Sequence, residues 1–331
     1  MIEKKLSIGI DISKRTLDIC VMDEGVLDHY SIKNNQKSIK SFIHNTKKKY
    51  GVKEVELCME NTGLYNWPLY SVCDELEIPI FVINPFHLKR SVGLVRGKND
   101  KIDAERIASY IKRFYEDHKP YIIPTAIIHK LQVMLGLRKR IMKAKNMLRT
   151  PMIELKSVAD KEIYSKALEV TNLVVKQLDA ALLKVEKELH ELIKEDETIH
   201  ENYKYMTSVQ GVGKVLAWNL LIKTNNFKTL NDPKKIACYV GVVPFEHQSG
   251  TSLKMQPRVS HMADKQVKKV LHMAALRVVR LDGDLKKYYT KKIDEGKNKM
   301  SAINAVRNKL IARICSVVNN KKIYVPNLLL S

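Results

Sequence analysis

The chain is poor in cysteine: five in 331 residues, an odd number, at positions 20, 58, 73, 238 and 315, with no CxxC pair. That pattern excludes a disulfide framework and a zinc ribbon, and indicates free thiols in a reducing compartment. Long apolar runs are also missing, since none approaches the roughly 18–20 residues of a membrane-spanning helix. No signal-peptide core precedes the first strand pattern, so a soluble, cytoplasmic protein is expected. Aromatic residues are sparse, and no basic amphipathic stretch carries the Trp- and Phe-rich face of a membrane-surface helix. Acidic residues are the last scarcity, 36 against 58 Lys and Arg, for a net charge of +22. An excess of that size calls for a polyanion, and nucleic acid is the one these absences leave. The excess is concentrated: residues 201–331 hold 24 basic against 8 acidic residues, while residues 1–200 hold 34 against 28.

What is present begins with Ile8-Gly9-Ile10-Asp11-Ile12, whose period-2 alternation predicts a strand. Further strands are expected at 16–22, 26–32, 55–60 and 80–84, with helices at 36–50, after Gly63 and from about 101 to 116. A three-stranded meander followed by alternating helices and strands predicts a mixed α/β sheet of ribonuclease-H-like architecture over residues 1–118. Asp11 on a central strand is costly to desolvate unless it is paired or binds a metal. Glu60 ends its strand at the edge where open α/β sheets place ligand sites. Asp100 and Asp103, three apart at the start of the last helix, can face the same way, and Asp103 continues the apolar stripe Ile107, Ile111, Phe114. Each has a plainer reading, Asp100 as a helix N-cap and Glu60 as a solvated strand end. Together the four form a candidate site for Mg²⁺ or Mn²⁺, because hard oxygen ligands of like charge call for divalent cations. Two such ions can clamp the attacking and leaving oxygens of a phosphodiester.

Residues 119–203 carry apolar positions at alternating steps of three and four, from Leu131 to Leu148 and from Tyr164 to Leu192, with Pro151 expected to interrupt or kink the first run. This predicts a coiled coil that joins copies of the chain, or a helical hairpin packed on its own domain. The basic cluster at 138–145 suits phosphate contact or a solvated face. Residues 204–331 form a basic, mostly helical domain. In it, Gly211-Val212-Gly213-Lys214 between two helical stretches is similar to a helix-hairpin-helix, which presents backbone N–H groups to phosphate. Lys265, Lys268 and Lys269 continue the basic surface. Ser249 lies in a polar Gln-Ser-Gly stretch that, by itself, reads as a turn.

The stretches IGIDISK, CMENTG, INPFHLK and KNDKIDAERIA resemble the RuvC-like half of the DEDD insertion-sequence transposases, the insertion sequence 110 family with its Piv-type DNA invertases. SVQGVGKVLA and YVGVVPFEHQSGTS resemble that family's C-terminal half, so the resemblance runs through nearly the whole chain in order. It implies a RuvC-like metal site at Asp11, Glu60, Asp100 and Asp103, and a serine nucleophile at Ser249 that forms a covalent phosphoserine link to DNA. It also implies a homo-oligomer, dimer or tetramer, with the site built across subunits. Donor and target DNA would be recognised through a noncoding bridge RNA, on a nucleoid-associated protein. Gln210 stands where the family commonly has proline. Ser260-His261-Met262-Ala263 stands where the family has Ser-Lys-x-Gly, so either His261 takes over the lysine's phosphate contact or activity is reduced, while Arg258 is retained. Beside DNA transposition and recombination stand two other readings: a metal-dependent, structure-specific nuclease in which water attacks, and a nucleic-acid-binding protein without catalysis.

Overall fold

A computed structural model describes residues 6–23, 25–52, 54–91, 99–114, 116, 118–249, 253–260 and 262–325, with backbone alone at 246–249 and 253–258. The chain forms two compact units, Met1–Ile123 and Pro124–Ser331.

The first unit holds strands β1 (Leu6–Ile12), β2 (Thr16–Asp23), β3 (Val26–Lys33), β4 (Val55–Glu60) and β5 (Ile80–Ile83). Its helices are α1 (Gln36–Tyr50), α2 (Trp67–Glu75), α3 (Pro85–Ser91) and α4 (Asp100–Phe114). The sheet order is β3-β2-β1-β4-β5; β1, β2 and β3 pair antiparallel, whereas β4 joins β1, and β5 joins β4, in parallel. This is the mixed sheet predicted from the meander, with β1 inside it. Alternation sorts the two faces. Ile8, Ile10 and Ile12 pack with Ile39, Phe42 and Ile43 of α1 and with Leu69 and Val72 of α2. On the other face, Cys58 and Phe81 pack with Ile107 and Ile111 of α4, and Cys20 packs with Ala104 and Ala108. Phe114, expected on the buried stripe, is exposed and rests its ring on Tyr110. Pro85 ends β5 as predicted and also starts α3, a helix the sequence reading did not include. Proline suits a first helical turn, and the Asn84 side chain accepts the Phe86 N–H there.

The second unit opens with α5 (Ala126–Val158) and α6 (Lys161–Lys194). They form an antiparallel hairpin: the pairs Lys130–Glu195, Arg138–Glu186 and Lys145–Asp179 climb one helix while descending the other. Pro151 does not interrupt α5. The carbonyl that loses its partner belongs to Met147, four residues back on an exposed part of the helix, where water can serve it. The inner end of the hairpin joins one core with α7 (Glu197–Ser208), α8 (Lys214–Lys223), α9 (Pro233–Val240), α10 (Lys265–Val278) and α12 (Lys299–Asn319), through Leu131, Leu189, Trp218, Leu271 and Leu310 among others. Helix α11 (Asp284–Asp294) lies between α10 and α12 in the chain. The polar stretch around Ser249 is not a loop. It forms β6 (Pro244–Ser249) and β7 (Leu253–Val259), an antiparallel pair with a bulge between Phe245 and His247. Along β7, Leu253, Met255, Pro257 and Val259 alternate with Lys254, Gln256 and Arg258, a period-2 strand signal that Pro257 weakens.

Four cysteines, Cys20, Cys58, Cys73 and Cys315, are buried, and Cys238 is half-buried; all five are free thiols. Burial pushes Cys73 and Cys315 up to about 12 and Cys20 to about 11. No helix among the described residues is long and apolar enough to cross a membrane.

Candidate active site

Glycine sets the acidic cluster's position. A Cβ on Gly9 would run into the carbonyl oxygen of Ala104 and the backbone nitrogen of Ala108, so only glycine lets α4 settle on β1 at this depth. Asp11 is two residues further along the same strand face, and Asp103 and Asp100 precede Ala104 on α4. Strand β4 supplies the fourth group. The last β1–β4 rung is Ile10–Met59, so Asp11 and Glu60 come next, side by side on parallel neighbours. Capping of α4 falls to Asn99, whose side chain accepts the Lys101 N–H at 3.0 Å and whose carbonyl accepts the Asp103 N–H at 2.9 Å.

The four carboxylates share one field. Burial pushes Asp11 up to about 6, and the charges of Asp100, Asp103 and Glu60 add to the rise against a backbone hydrogen bond from Ile12. Asp103 also holds Arg106 at 2.7 Å. Among the described residues, no three His, Cys, Asp or Glu side chains stand close enough to hold an ion as placed. The donors themselves are all hard oxygen, concentrated where negative charge is costly, and fit a divalent cation of the Mg²⁺ or Mn²⁺ kind. One contributor went unnoticed in the sequence. Asn66, itself buried, accepts the Thr62 hydroxyl at 2.5 Å and donates to Asn61 at 3.0 Å, which fastens the turn that follows β4. Its signal was a lone asparagine in the Leu-Tyr-Asn-Trp-Pro run.

In the second unit, Ser249 is the final residue of β6, paired with Leu253 at the last rung before the hairpin connection. The Arg258 backbone pairs with Phe245 near the hairpin's other end, and His261 lies outside the described residues. Gly211 packs against α10, where a Cβ would strike Val278, whereas Gly213 and Lys214 are exposed at the start of α8. Lys214 donates to Glu186 at 2.5 Å, and Arg138 holds the other carboxyl oxygen at 2.8 Å. Burial raises Glu186, but these two hydrogen bonds outweigh it and keep its carboxyl below the usual range. Lys265 and Lys269 are exposed on α10, and Lys268 is half-buried. A groove of about 700 Å³ runs between α5, α8 and α10, with Arg138, Lys139, Lys143, Asn219, Gln266 and Lys269 on its walls. Lys139 is tied to Gln266 at 3.0 Å, and Lys145 to Asp179, so part of the 138–145 cluster serves the hairpin and the α5–α10 contact.

Two family models match the chain. One described as "Transposase", of the DEDD IS110 type, covers residues 8–155, and one described as "Transposase IS116/IS110/IS902 family" covers residues 203–290. The pilin gene-inverting protein of Moraxella lacunata is 25% identical over 96% of this chain and 97% of its own length. That of Moraxella bovis is 24% identical over the same shares. The solved T. thermophilus RuvC in complex with a Holliday junction substrate matches 36% of this chain and 100% of its own, at 12% identity and a TM-score of 0.29.

Proposed function

Because this chain belongs to the IS110 family and is a DNA transposase/recombinase, we propose that it cuts and rejoins DNA through Ser249, assisted by the carboxylates around Asp11. The observation that carries the reading is the placement of Asp11 and Glu60 side by side at the ends of β1 and β4, with the first turn of α4, holding Asp100 and Asp103, set against β1 at Gly9. Asp11, Glu60, Asp100 and Asp103 would hold the divalent cations, which when bound supply charge stabilisation on the phosphate.

The remaining steps belong to the chain's own residues. The Ser249 oxygen forms a bond to phosphorus while one bridging P–O ester bond breaks, and the departing deoxyribose oxygen takes up the proton that serine gives up. One phosphoester replaces another, so a second DNA end can reverse the exchange and rejoin the strand without an energy source. Arg258, His261, Gly213, Lys214, Lys265 and Lys269 are assigned to backbone phosphates, a sequence-independent role that suits the +16 segment. Sequence choice is assigned to a noncoding bridge RNA, which would share that basic surface. The relatives' names, which describe inversion of a pilin gene, support recombination at defined sites. Exposed apolar residues on the outer part of the α5–α6 hairpin, among them Ile153, Val158, Val170 and Leu173, support self-association there.

Ser249→Ala is expected to abolish both recombination of a donor–target pair and the covalent protein–DNA adduct seen after denaturing electrophoresis. An adduct that persists in Ser249→Ala sinks the nucleophile assignment. A second reading, hydrolysis by water at the acidic cluster, draws on the fact that all four carboxylates belong to the first unit alone. It predicts nicked products, no adduct, and full activity in Ser249→Ala.

A further inference from the structure

Helix α12 is buried along Ile303, Val306, Leu310 and Ile314, and Arg307 sits within that stripe, 5% exposed. Unlike Arg106, Arg138 and Arg313, which all hold carboxylates, Arg307 forms no ion pair among the described residues, and its buried Nε has no hydrogen-bond partner. An unpaired guanidinium in such a place is costly, because desolvation is not offset by any acceptor. It is also not alone. On α10, Lys268 and His272 lie one turn apart; burial pulls both downward, and the charge of Arg307 adds to this in each case. The His272 Nδ1 is buried without a partner as well.

Among the described side chains, no acid answers these groups from the helices around them. Helices α9, α10 and α12 contain no Asp or Glu at all. The nearest carboxylate in sequence, Asp264, is taken up by the N–H groups of Gln266 and Val267, by the Tyr239 hydroxyl at 3.2 Å and by Lys223 at 3.0 Å. The backbone closes around the same spot. Asn304, one turn before Arg307, donates to the Val242 carbonyl at 2.6 Å. Gly241, at φ 72°, is so enclosed that an added Cβ would meet Ala263, Val259 Cγ1 at 3.0 Å and Lys268 Nζ at 3.7 Å. Val259 is the last residue of β7, so the guanidinium, the ammonium and the imidazole gather at the foot of the hairpin whose far end carries Ser249.

We propose that Arg307, Lys268 and His272 form a socket for one phosphate of the DNA backbone, docked at the root of the β6–β7 hairpin. A planar guanidinium flanked by an ammonium matches a tetrahedral dianion or a phosphodiester. The ligand supplies the missing acceptors, and the helices supply a rigid frame. The socket requires DNA as partner but neither a particular nucleophile nor a metal.

Two measurements on the full chain test it. In thermal denaturation, inorganic phosphate at matched ionic strength raises the midpoint of the wild type relative to chloride. Arg307→Met removes that increment and raises the midpoint in chloride, because the uncompensated charge is gone. In fluorescence anisotropy with a labelled duplex of mixed sequence, Arg307→Met and Lys268→Met each weaken binding by about tenfold and make the log–log salt slope shallower by about 0.9. The half-buried Lys268 variant keeps the test available should Arg307→Met misfold. A lower midpoint in chloride for Arg307→Met, a phosphate increment that survives in it, or an unchanged duplex affinity in Lys268→Met overturns the socket. Weakened binding of a structured RNA with the duplex unaffected overturns its assignment to DNA. The phosphate increment is read without strand transfer, so failure of the Ser249 mechanism leaves that readout untouched.

Discussion

The two units each concentrate like charge, in opposite signs and by different means. In the first, Asp11 lies at the end of a sheet within the field of Glu60, Asp100 and Asp103, the last two on a helix that glycine allows to approach. In the second, the cations Arg307 and Lys268 gather with the imidazole of His272 on α10 and α12, which contain no acid. Elsewhere in the second unit charge is handled conventionally: Glu186 answers Arg138 and Lys214, and Asp284 answers Arg313. The contrast teaches that unpaired charge is a localised exception. Each exception lowers the stability of the free chain, and a ligand of opposite sign would relieve it, which would tie folding to binding.

The sharpest way to break the comparison is Asp11→Asn. Strand exchange is expected to fall by roughly 10²–10³-fold or more, on the scale of losing a preorganised electrostatic contact, measured by product formation from a donor–target pair. The free chain should respond in the opposite sense. With a folded value of about 6 against an ordinary 3.8, the folded state holds the Asp11 proton more readily. The stability at stake is therefore fully present below about pH 4 and lost as pH rises through about 6. Asp11→Asn should stabilise the metal-free chain at pH 7.5 by on the order of 1–2 kcal/mol, allowing for solvent screening at this partly exposed site. The gain should vanish near pH 4, and urea titrations at the two values decide.

Gly9→Ala addresses how the cluster is assembled. The new Cβ must push α4 off the sheet, at a cost of about 1–3 kcal/mol. As Asp100 and Asp103 retreat, Asp11 should titrate closer to its ordinary range in carboxyl-detected NMR. If Asp11 stays near 6, burial alone holds it up. Arg138→Met is the smallest test and the most direct contrast with Arg307→Met. It leaves Glu186 with Lys214 alone and should cost about 1–2 kcal/mol in urea denaturation, where the Arg307 substitution is expected to stabilise.

The first unit was largely legible because its strands alternate without interruption and its acids fall at strand and helix ends. Asp11 could be read as a problem from one strand, and Glu60, Asp100 and Asp103 as answers to it. The reasons for failure elsewhere are specific. In the β6–β7 ribbon, β7 alternates Leu253, Met255, Pro257 and Val259 with Lys254, Gln256 and Arg258, but its polar partner β6 and the prolines at 244 and 257 speak for a turn and mask that signal. Pro151 carries a breaker's prior that an exposed helix surface tolerates. Gly211 announces a turn, but not that α10 packs upon it so closely that a Cβ would strike Val278. Arg307 had a signal that went unused: it stands four after Ile303, three before Leu310 and seven before Ile314, a charged residue in register with a buried stripe. Asp11 and Arg307 are thus the same kind of clue, one on a period of two and the other on a period near 3.6.

The burial of four of the five thiols has a practical consequence for probing both sites. With Cys20, Cys73 and Cys315 titrating far above neutral pH, almost no native thiolate is present to react with a maleimide. Replacing the half-buried Cys238 with serine should leave a background on which one introduced cysteine, such as Lys265→Cys on the exposed side of α10, takes a dye or a crosslinker selectively. The chain comes close to being its own cysteine-free scaffold for single-molecule work.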